Sequence, residues 1–406
     1  QRKELLLSID LSESEAADYC AIAMSKGKDA LHYLTDNTTV EKEHILKLLD
    51  QYGLELDRNQ VLQTLAFVYP DLHAYLQPRR FEHELLSAYF QTYTYAKAIN
   101  KVLPDLIDMM EDQAIKRDYN TLLKPRSEVM SGIPKDNTTL YFVDAMGAEF
   151  VSYIVEKCYQ KRMRPKVHLA RCNLPSITSA NKEFLDDFDD NAIKTVRDID
   201  EIKHQGKENY DYSITKLPLH LIKEMDIIDK LLDKVNQRLR SMPGHRALLV
   251  ADHGATRMAV IMENTISIDV NSKGTNSGRV CEYNEDVSKI PQATEVDGYY
   301  VLANYDRFRG GRKAAVEAHG GATLEEVTVP IIELILEPED LEIFVKTPVI
   351  QVSNRKKAEI ALFSKTPLEQ VTVIVQDKTY HGESEDQHNF MISMPDVRRS
   401  GDYVLD

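Results

Sequence analysis

Two hydrophobic patterns divide the chain near residue 135. From Leu11 to about Gln113, apolar residues recur at intervals of three and four, as in FEHELLSAYFQTYTYAKAI. This spacing puts apolar side chains on one face of a helix, and the Ser and Glu residues of SESEAADYCAIAMSKG fit helix-capping chemistry. The pattern predicts about five helices in a helical domain over residues 1–135.

From Thr138 onward, short apolar segments alternate with amphipathic ones. This alternation is typical of an α/β domain with a mostly parallel sheet and flanking helices. We predict helices near residues 149–162 and 223–240, and a domain over residues 136–338. The predicted strands are TLYFVDA, PKVHLAR, YDYSITK, HRALLVAD and EVTVPIIELI.

Beyond Pro338 only strand-like alternation remains, which predicts a C-terminal β-sandwich over residues 339–406. A chain of 406 residues is long enough for two or three such domains. It begins at Gln1 rather than Met, which indicates a trimmed or partial protein.

Composition narrows the class of protein. Hydrophobic residues make up 43% and charged residues 28%, the balance of a globular chain. We find no apolar run long enough to cross a membrane and no leader sequence, so we expect a cytoplasmic protein without membrane association.

The four cysteines are far apart and form no C-x-x-C pair, which argues against a zinc ribbon or a disulfide framework. The net charge of −15 disfavours broad, non-specific adhesion to DNA, although a local basic patch could still bind a phosphate ester.

Polar residues at the ends of two predicted strands are the first candidates for chemistry. Asp144 ends TLYFVDA, and the pair Asp252 and His253 ends HRALLVAD. Functional groups of open α/β sheets collect at the carboxyl ends of strands, and a carboxylate beside an imidazole suits Zn²⁺ or Mn²⁺. Each residue, taken alone, is equally well explained as a helix cap or a turn residue.

A third candidate is His319, which precedes two glycines before the last predicted strand. Four segments, VDAMGAEF, LPSITSANK, VADHG and HGGATLEEVTVP, occur in the order and approximate spacing of the PglZ domain. On these segments, residues 138–335 resemble PglZ, a branch of the alkaline phosphatase superfamily. The most specific of them is H-G-G-x-x-x-E-E-x-x-x-P.

The resemblance implies an alkaline-phosphatase-like sheet that holds two divalent metal ions, with zinc favoured over manganese or magnesium. It implies that Asp144, Asp252 and His253 bind one ion and that His319 binds the other. It also implies a hydroxyl nucleophile on LPSITSANK, with Thr178 as the first choice and Ser176 as the second. Without the resemblance, Thr178 is explained as a helix cap.

The remaining ligands of the second ion are predicted from a spacing. Members of the superfamily often supply an Asp followed four residues later by a His or Asp, and Asp229 and Asp233 have that spacing on a predicted helix. Asp226 and His220 are competing choices. The alternative interpretation of the acidic pair is a solvated helix face.

A basic segment lies shortly before His319. Its arginines, Arg307, Arg309 and Arg312, could contact a phosphate, because the guanidinium group matches phosphate geometry. An exposed loop explains them equally well.

The resemblance implies a metal-dependent phosphohydrolase, more a phosphodiesterase or nuclease-like enzyme than a phosphomonoesterase. Its expected substrates are phosphate esters, with nucleotides and nucleic acid among the candidates. Because PglZ domains occur in bacterial phage-defence systems of the BREX type, other defence subunits are expected partners. The alternative is a scaffold subunit with a degenerate or structural metal site. A sulfatase is disfavoured because the sequence context for formylglycine formation is missing around Ser176.

Overall fold

The structure is a computed structural model. It describes residues 12–205, 210–262, 266–269, 273–282, 290–337, 342–347, 350, 352, 357–368, 370–375 and 378–398. The chain forms two compact units, Gln1–Leu336 and Glu337–Asp406.

The described N-terminal part of the first unit is helical. Its α-helices are α1 (Glu13–Met24), α2 (Thr39–Tyr52), α3 (Arg58–Val68), α4 (Pro70–Leu76), α5 (Glu84–Ile99), α6 (Pro104–Lys116), α7 (Tyr119–Leu122) and α8 (Arg126–Ser131). The predicted cap is present, since Ser12 and Glu15 form a capping box on α1. Six α-helices, rather than about five, begin between Leu11 and Gln113 within the described residues. One reason is Pro70, which lacks an N–H and starts a separate short helix directly after α3.

A five-stranded sheet forms the centre of the first unit. Its strands are β1 (Thr138–Val143), β2 (Met163–Arg171), β3 (Ile193–Val196), β4 (Arg246–Ala251) and β10 (Thr328–Leu336), in the order β2-β10-β4-β1-β3. The central strand β1 is parallel to both β3 and β4, whereas β10 is antiparallel to β2 and β4. The predicted mixed α/β class is therefore confirmed, and four of the five strands run in one direction, with β10 opposed to them. The specific likeness to alkaline phosphatase stays a prediction.

The remaining helices of this unit are α9 (Val151–Gln160), α10 (Asp198–Gln205), α11 (His220–Ser241), α12 (Met258–Ile261) and α13 (Leu324–Val327). The helices α9 and α11 correspond to the two predicted ones. Two small sheets lie between α12 and His319, one formed by β5 (Ser267–Ile268) and β9 (Arg307–Phe308), the other by β6 (Val280–Glu282), β7 (Ala293–Val296) and β8 (Tyr299–Leu302).

One predicted strand is wrong. Residues 210–216 form turns and irregular structure, and the fifth strand of the sheet is β3 instead. This strand has only four residues and lies at the sheet edge, with Lys194 and Thr195 exposed. It therefore lacks the apolar run by which buried strands are found.

The described part of the second unit is one antiparallel sheet. Its strands are β11 (Ile343–Val345), β12 (Ala358–Ser364), β13 (Thr372–Val375), β14 (Lys378–Glu383) and β15 (Asn389–Met394), in the order β11-β12-β15-β14-β13. Alternate residues of β12 and β15 are buried, so one face of the sheet carries the core. The alternation beyond Pro338 predicts strands within 342–353, 357–364, 369–377 and 388–394, and each of these segments contains one. A further predicted strand, DYVLD at 402–406, lies outside the described residues. The described residues form a single sheet rather than the two sheets of a sandwich.

Among the described residues, no helix has the length and apolar character needed to cross a membrane.

Candidate metal centre

The carboxyl ends of β1 and β4 lie side by side and carry the first acidic pair. Val143 and Ala251 are register partners, so Asp144 and Asp252, which follow them, are neighbours. The Oδ1 atom of Asp252 accepts hydrogen bonds from the backbone N–H groups of Ala145 at 3.0 Å and His253 at 2.9 Å. Its Oδ2 atom is buried and has no hydrogen-bond partner among the described residues. A buried carboxylate oxygen left in this state fits a cation ligand.

His253 completes a first group of potential metal ligands, Asp144, Asp252 and His253, which we call the first ligand group. Its Nε2 atom lies 3.4 Å from Asp252 Oδ2 and 3.8 Å from Asp144 Oδ1, and the ligand atoms of these three residues lie within 4.8 Å of one another. On its other side, Nδ1 lies 3.0 Å from the carbonyl oxygen of Gly254. A proton on Nδ1 would satisfy that carbonyl and leave the Nε2 lone pair free to bind a metal.

The second ligand group consists of three further potential metal ligands, Asp200 and His204 on α10 together with His319. Asp200 and His204 lie one helical turn apart, with His204 Nε2 at 3.3 Å from Asp200 Oδ1. The Nε2 atom of His319 lies 2.8 Å from His204 Nε2 and 3.8 Å from Asp200 Oδ1. As in the first group, Nδ1 of His319 is 3.2 Å from a backbone carbonyl, that of Ser176, which leaves Nε2 directed toward the group.

The two ligand groups are adjacent. The imidazole rings of His253 and His319 stack with centroids 4.3 Å apart and an interplanar angle of 13°. Asp200, His253 and His319 also have ligand atoms within 4.8 Å of one another. The described residues thus contain clusters of Asp and His, most of them buried, that could hold a metal ion.

Thr178 lies at the first ligand group. Its hydroxyl Oγ1 is 3.2 Å from Asp144 Oδ1 and 3.4 Å from His253 Nε2, and its side chain is half-buried. Ser176, in contrast, is fully buried: its hydroxyl donates to the carbonyl of Gly321 at 2.7 Å and accepts from the N–H of Gly320 at 3.0 Å. Thr178 therefore lies beside potential metal ligands, whereas Ser176 holds the glycine turn.

Electrostatics at the centre also fit a cation. Burial and the neighbouring charges of Asp252 and Asp200 raise the pKa of Asp144 to about 8. Burial, reinforced by His253, lowers the pKa of His319 to about 3. A carboxylate that resists ionisation, beside an imidazole that stays neutral, is an arrangement that a divalent cation would stabilise.

Arg126 connects the segment that carries Asp252 to the segment that carries Thr178. Its Nη1 donates to the backbone carbonyls of Ala251 and Asp252, and its Nη2 donates to the side chains of Asn181 and Glu183. Asn181 in turn donates from Nδ2 to the carbonyls of the loop before Thr178, including that of Ile177 at 3.0 Å. One buried guanidinium thus joins the Asp252 strand end to the Thr178 loop. The sequence contains no signal for this role.

A buried charge network lies against the same segments. Lys97 on α5 binds Glu149 at 3.0 Å, Glu224 at 3.1 Å and Glu317 at 2.6 Å. Lys203 on α10 binds Glu317 at 2.8 Å and Glu224 at 3.2 Å. The side chains of all five residues are almost completely inaccessible to solvent. This network joins the helical segment to the segments that carry the ligands.

A third group of potential ligands, His220, Glu224 and Glu317, belongs to that network. His220 Nε2 lies 2.9 Å from Glu317 Oε1, and burial lowers the pKa of His220 to about 3. The ammonium groups of Lys97 and Lys203 already contact both carboxylates. We therefore assign this group to the protein core rather than to a metal.

The structure does not bring Asp229 and Asp233 to the centre. Asp229 lies 3.1 Å from both Lys157 and Lys161 on the α9 side of α11, and Asp233 lies 2.5 Å from Lys161. The competing choices are also elsewhere, with Asp226 at 3.8 Å from Lys42 and His220 in the buried network. The helix that reaches His319 is α10, whose Asp200 and His204 have the same four-residue spacing.

The three arginines have other surroundings in the described residues. Arg307 is on β9 and pairs with Ser267, and Arg309 forms an ion pair with Asp269 at 2.5 Å. Arg312 is exposed. None of them has a hydrogen bond or ion pair with the ligand groups among the described residues, so their predicted phosphate contacts stay a prediction.

Comparisons with known families match the two ends of the chain. The domain of unknown function DUF7863 matches residues 1–52, and the domain of unknown function DUF7862 matches residues 341–406. Together they cover less than half of the chain, and neither includes a residue of the centre. No protein of curated function matches the chain.

Proposed function

We propose that this protein is a metal-dependent phosphohydrolase that acts on phosphodiesters, with Thr178 as its nucleophile. The observation that carries the proposal is the position of the Thr178 hydroxyl, which lies beside Asp144 and His253. A half-buried hydroxyl next to a group of potential metal ligands is the arrangement that nucleophilic phosphoryl transfer requires.

Two divalent cations fit the residues present. Asp144, Asp252 and His253 would hold one, and Asp200, His204 and His319 would hold the other. Two carboxylates with one imidazole, and one carboxylate with two imidazoles, are sets that suit Zn²⁺ or Mn²⁺. Bound cations would lower the pKa of the hydroxyl and neutralise charge on the phosphoryl oxygens.

The chain itself positions the nucleophile. Asp144 accepts the Thr178 hydrogen bond at Oδ1, which directs the remaining oxygen lone pairs of the hydroxyl away from that carboxylate. Asn181 and Arg126 hold the loop and the Asp252 strand end in a fixed relation. Such preorganisation lowers the entropy cost of bringing a nucleophile to phosphorus.

The PglZ resemblance supports a bacterial phage-defence role of the BREX type, with other defence subunits as partners. It rests on the four quoted segments, and the structure brings polar residues of all four together: Asp144, Thr178, His253 and His319.

The test is metal content together with hydrolysis of bis-p-nitrophenyl phosphate in added Zn²⁺ or Mn²⁺. We expect wild type to bind metal and cleave the diester, Asp252→Ala to lose both, and Thr178→Ala to keep metal but lose turnover. Hydrolysis that survives in Thr178→Ala would overturn the nucleophile assignment. Full metal loading without cleavage of any diester or monoester would overturn the assignment of hydrolase activity.

The second candidate is a scaffold subunit with a structural metal site. The observation that favours it is the exposed apolar edge strand β11 of the second unit, in which Ile343, Phe344 and Val345 are all at least 42% exposed. A defence assay with Thr178→Ala separates the two. Loss of defence with intact assembly supports catalysis, whereas full defence supports the scaffold.

A further inference from the structure

A groove of about 620 Å³ runs between the edge strand β3 and the helix α11. Its cationic lining residues are Lys194 on β3 and Lys230, Lys234 and Arg238 on α11, whereas Asp198 is its one acidic lining residue. A local excess of positive charge is unusual in a chain of net charge −15. The groove is therefore a candidate surface for a polyanion.

Three of these cations have no anionic partner in the part of the chain that the structure describes. Lys194, Lys230 and Lys234 are exposed and form neither a salt bridge nor a side-chain hydrogen bond there. Lysines on the α9 side of α11 behave differently, as Lys157 and Lys161 are each bound by acidic residues of α11. Acidic residues of α11 thus pair with the lysines on its α9 side, whereas Lys230 and Lys234 have no such partner among the described residues.

One end of the groove adjoins the candidate metal centre. Val196 lines the groove, and its carbonyl accepts a 2.9 Å hydrogen bond from the backbone N–H of Asp144. Asp198, the acidic lining residue, begins the helix α10 that carries Asp200 and His204. A chain laid along the groove from Lys194 toward Val196 would approach the two ligand groups.

We propose that this groove binds the sugar-phosphate backbone of a single nucleic-acid strand and leads it to the metal centre. The proposal rests on the phosphodiesterase function proposed above and adds a binding surface outside the reacting groups. The groove volume is that of a small-ligand cleft, which suits one extended strand better than the wider double helix. Tyr141 is the one aromatic lining residue and is 5% exposed, so bases cannot stack on it. The groove therefore reads phosphate and not sequence.

The affinity of a protein for nucleic-acid phosphates depends on the salt concentration. For single strands, log K falls with log salt at a slope of about −0.7 for each phosphate neutralised. Three or four cations predict a slope of about −2 to −3. We expect fluorescence anisotropy in EDTA, with a labelled single-stranded oligonucleotide, to give this slope for wild type.

The variant Lys230→Gln/Lys234→Gln should weaken that binding and make the slope shallower by about 1 to 2. The matched control Lys28→Gln/Lys116→Gln removes the same charge from lysines that pair with Glu55 and Asp112 outside the groove, and should bind as wild type does. Equal binding by wild type and the groove variant, or equal weakening by the control, would overturn the proposal.

Further measurements distinguish the groove proposal from the proposed hydrolase activity. The groove variant should cleave bis-p-nitrophenyl phosphate at the wild-type rate while its cleavage of an oligonucleotide falls. Because binding is measured in EDTA, it tests the groove even if no hydrolysis is found. DNA and RNA strands of one sequence should bind alike, and a duplex that binds more tightly than either strand would overturn the single-strand assignment.

Discussion

Lys203 Nζ lies 2.8 Å from Glu317 Oε2 in the buried core, and each of these residues is close in sequence to a histidine of the second ligand group. Lys203 directly precedes His204, and Glu317 comes two residues before His319. The ion pair therefore ties together the two segments whose imidazoles meet at 2.8 Å. A buried ion pair adds little net stability, but removing one partner leaves the other charge uncompensated.

From this pair we predict that Lys203→Met lowers the free energy of unfolding by about 3–5 kcal/mol, because Glu317 loses a buried counter-charge. Metal content should fall at the same time, since α10 loses its anchor beside His204. Urea unfolding and metal analysis would check this. Lys166→Met is the matched control, as Lys166 is 71% exposed beside Glu333, and it should change stability by no more than about 1 kcal/mol. A similar loss in both variants would contradict the assigned role.

We predict opposite effects on metal binding for substitutions on α10 and on α11. Asp200→Asn and His204→Ala should each reduce the amount of bound metal and the rate of diester hydrolysis, because each removes a ligand of the second group. Asp229→Asn and Asp233→Asn should leave both unchanged, since those carboxylates contact Lys157 and Lys161. Mass-spectrometric metal analysis of the four variants decides between the helices. Metal loss confined to the α11 variants would return the second site to that helix.

Gly321 has no room for a side chain. A Cβ atom there would lie 2.3 Å from both Arg279 Nη2 and Glu326 Oε2, which form a buried ion pair at 2.7 Å. We therefore expect Gly321→Ala to destabilise the protein by at least about 1–3 kcal/mol, with loss of hydrolysis because His319 is two residues away. Thermal unfolding is the measurement.

The control for that variant is Gly132→Ala. The added Cβ would lie 3.5 Å from the Val129 carbonyl oxygen, an ordinary contact, and Gly132 has a φ of −85°. Its stability should match wild type or rise slightly. If Gly321→Ala were equally harmless, the turn after His319 would have to be more adaptable than the packing indicates.

Glu325 gives a pH dependence of stability. Burial, together with the charge of Glu326, raises the pKa of Glu325 from 4.5 to about 7. Because the folded pKa is raised, its contribution to stability is present below about pH 4.5 and is lost as the pH rises to about 7. Glu325→Gln should remove this loss, on the order of 3 kcal/mol at pH 8, while its amide oxygen can still accept the Tyr89 hydrogen bond.

Denaturant unfolding of wild type and Glu325→Gln from pH 4.5 to 8 measures this difference. The surface variant Glu128→Gln, which removes an exposed carboxylate that pairs with Lys124, should keep the wild-type pH profile. Parallel profiles for wild type and Glu325→Gln would show that the buried carboxyl does not titrate in this range.

Much of the centre could be predicted from the sequence because of one physical rule. Parallel strands end at the same sheet edge, so polar residues after two apolar strands meet there. Asp144, Asp252 and His253 follow that rule, and β1 and β4 are adjacent in the sheet. The apolar runs of these strands also identified the α/β class.

What the sequence by itself determined is therefore local: strand ends, helix periodicity and the glycine turn after His319. Only the tertiary structure decided which helix supplies the second ligand group. Asp229 with Asp233 and Asp200 with His204 have the same four-residue spacing, and a helix face alone does not specify its neighbour. The basic groove is likewise tertiary, because Lys194 and Lys230 are distant in sequence and meet only when α11 packs beside β3.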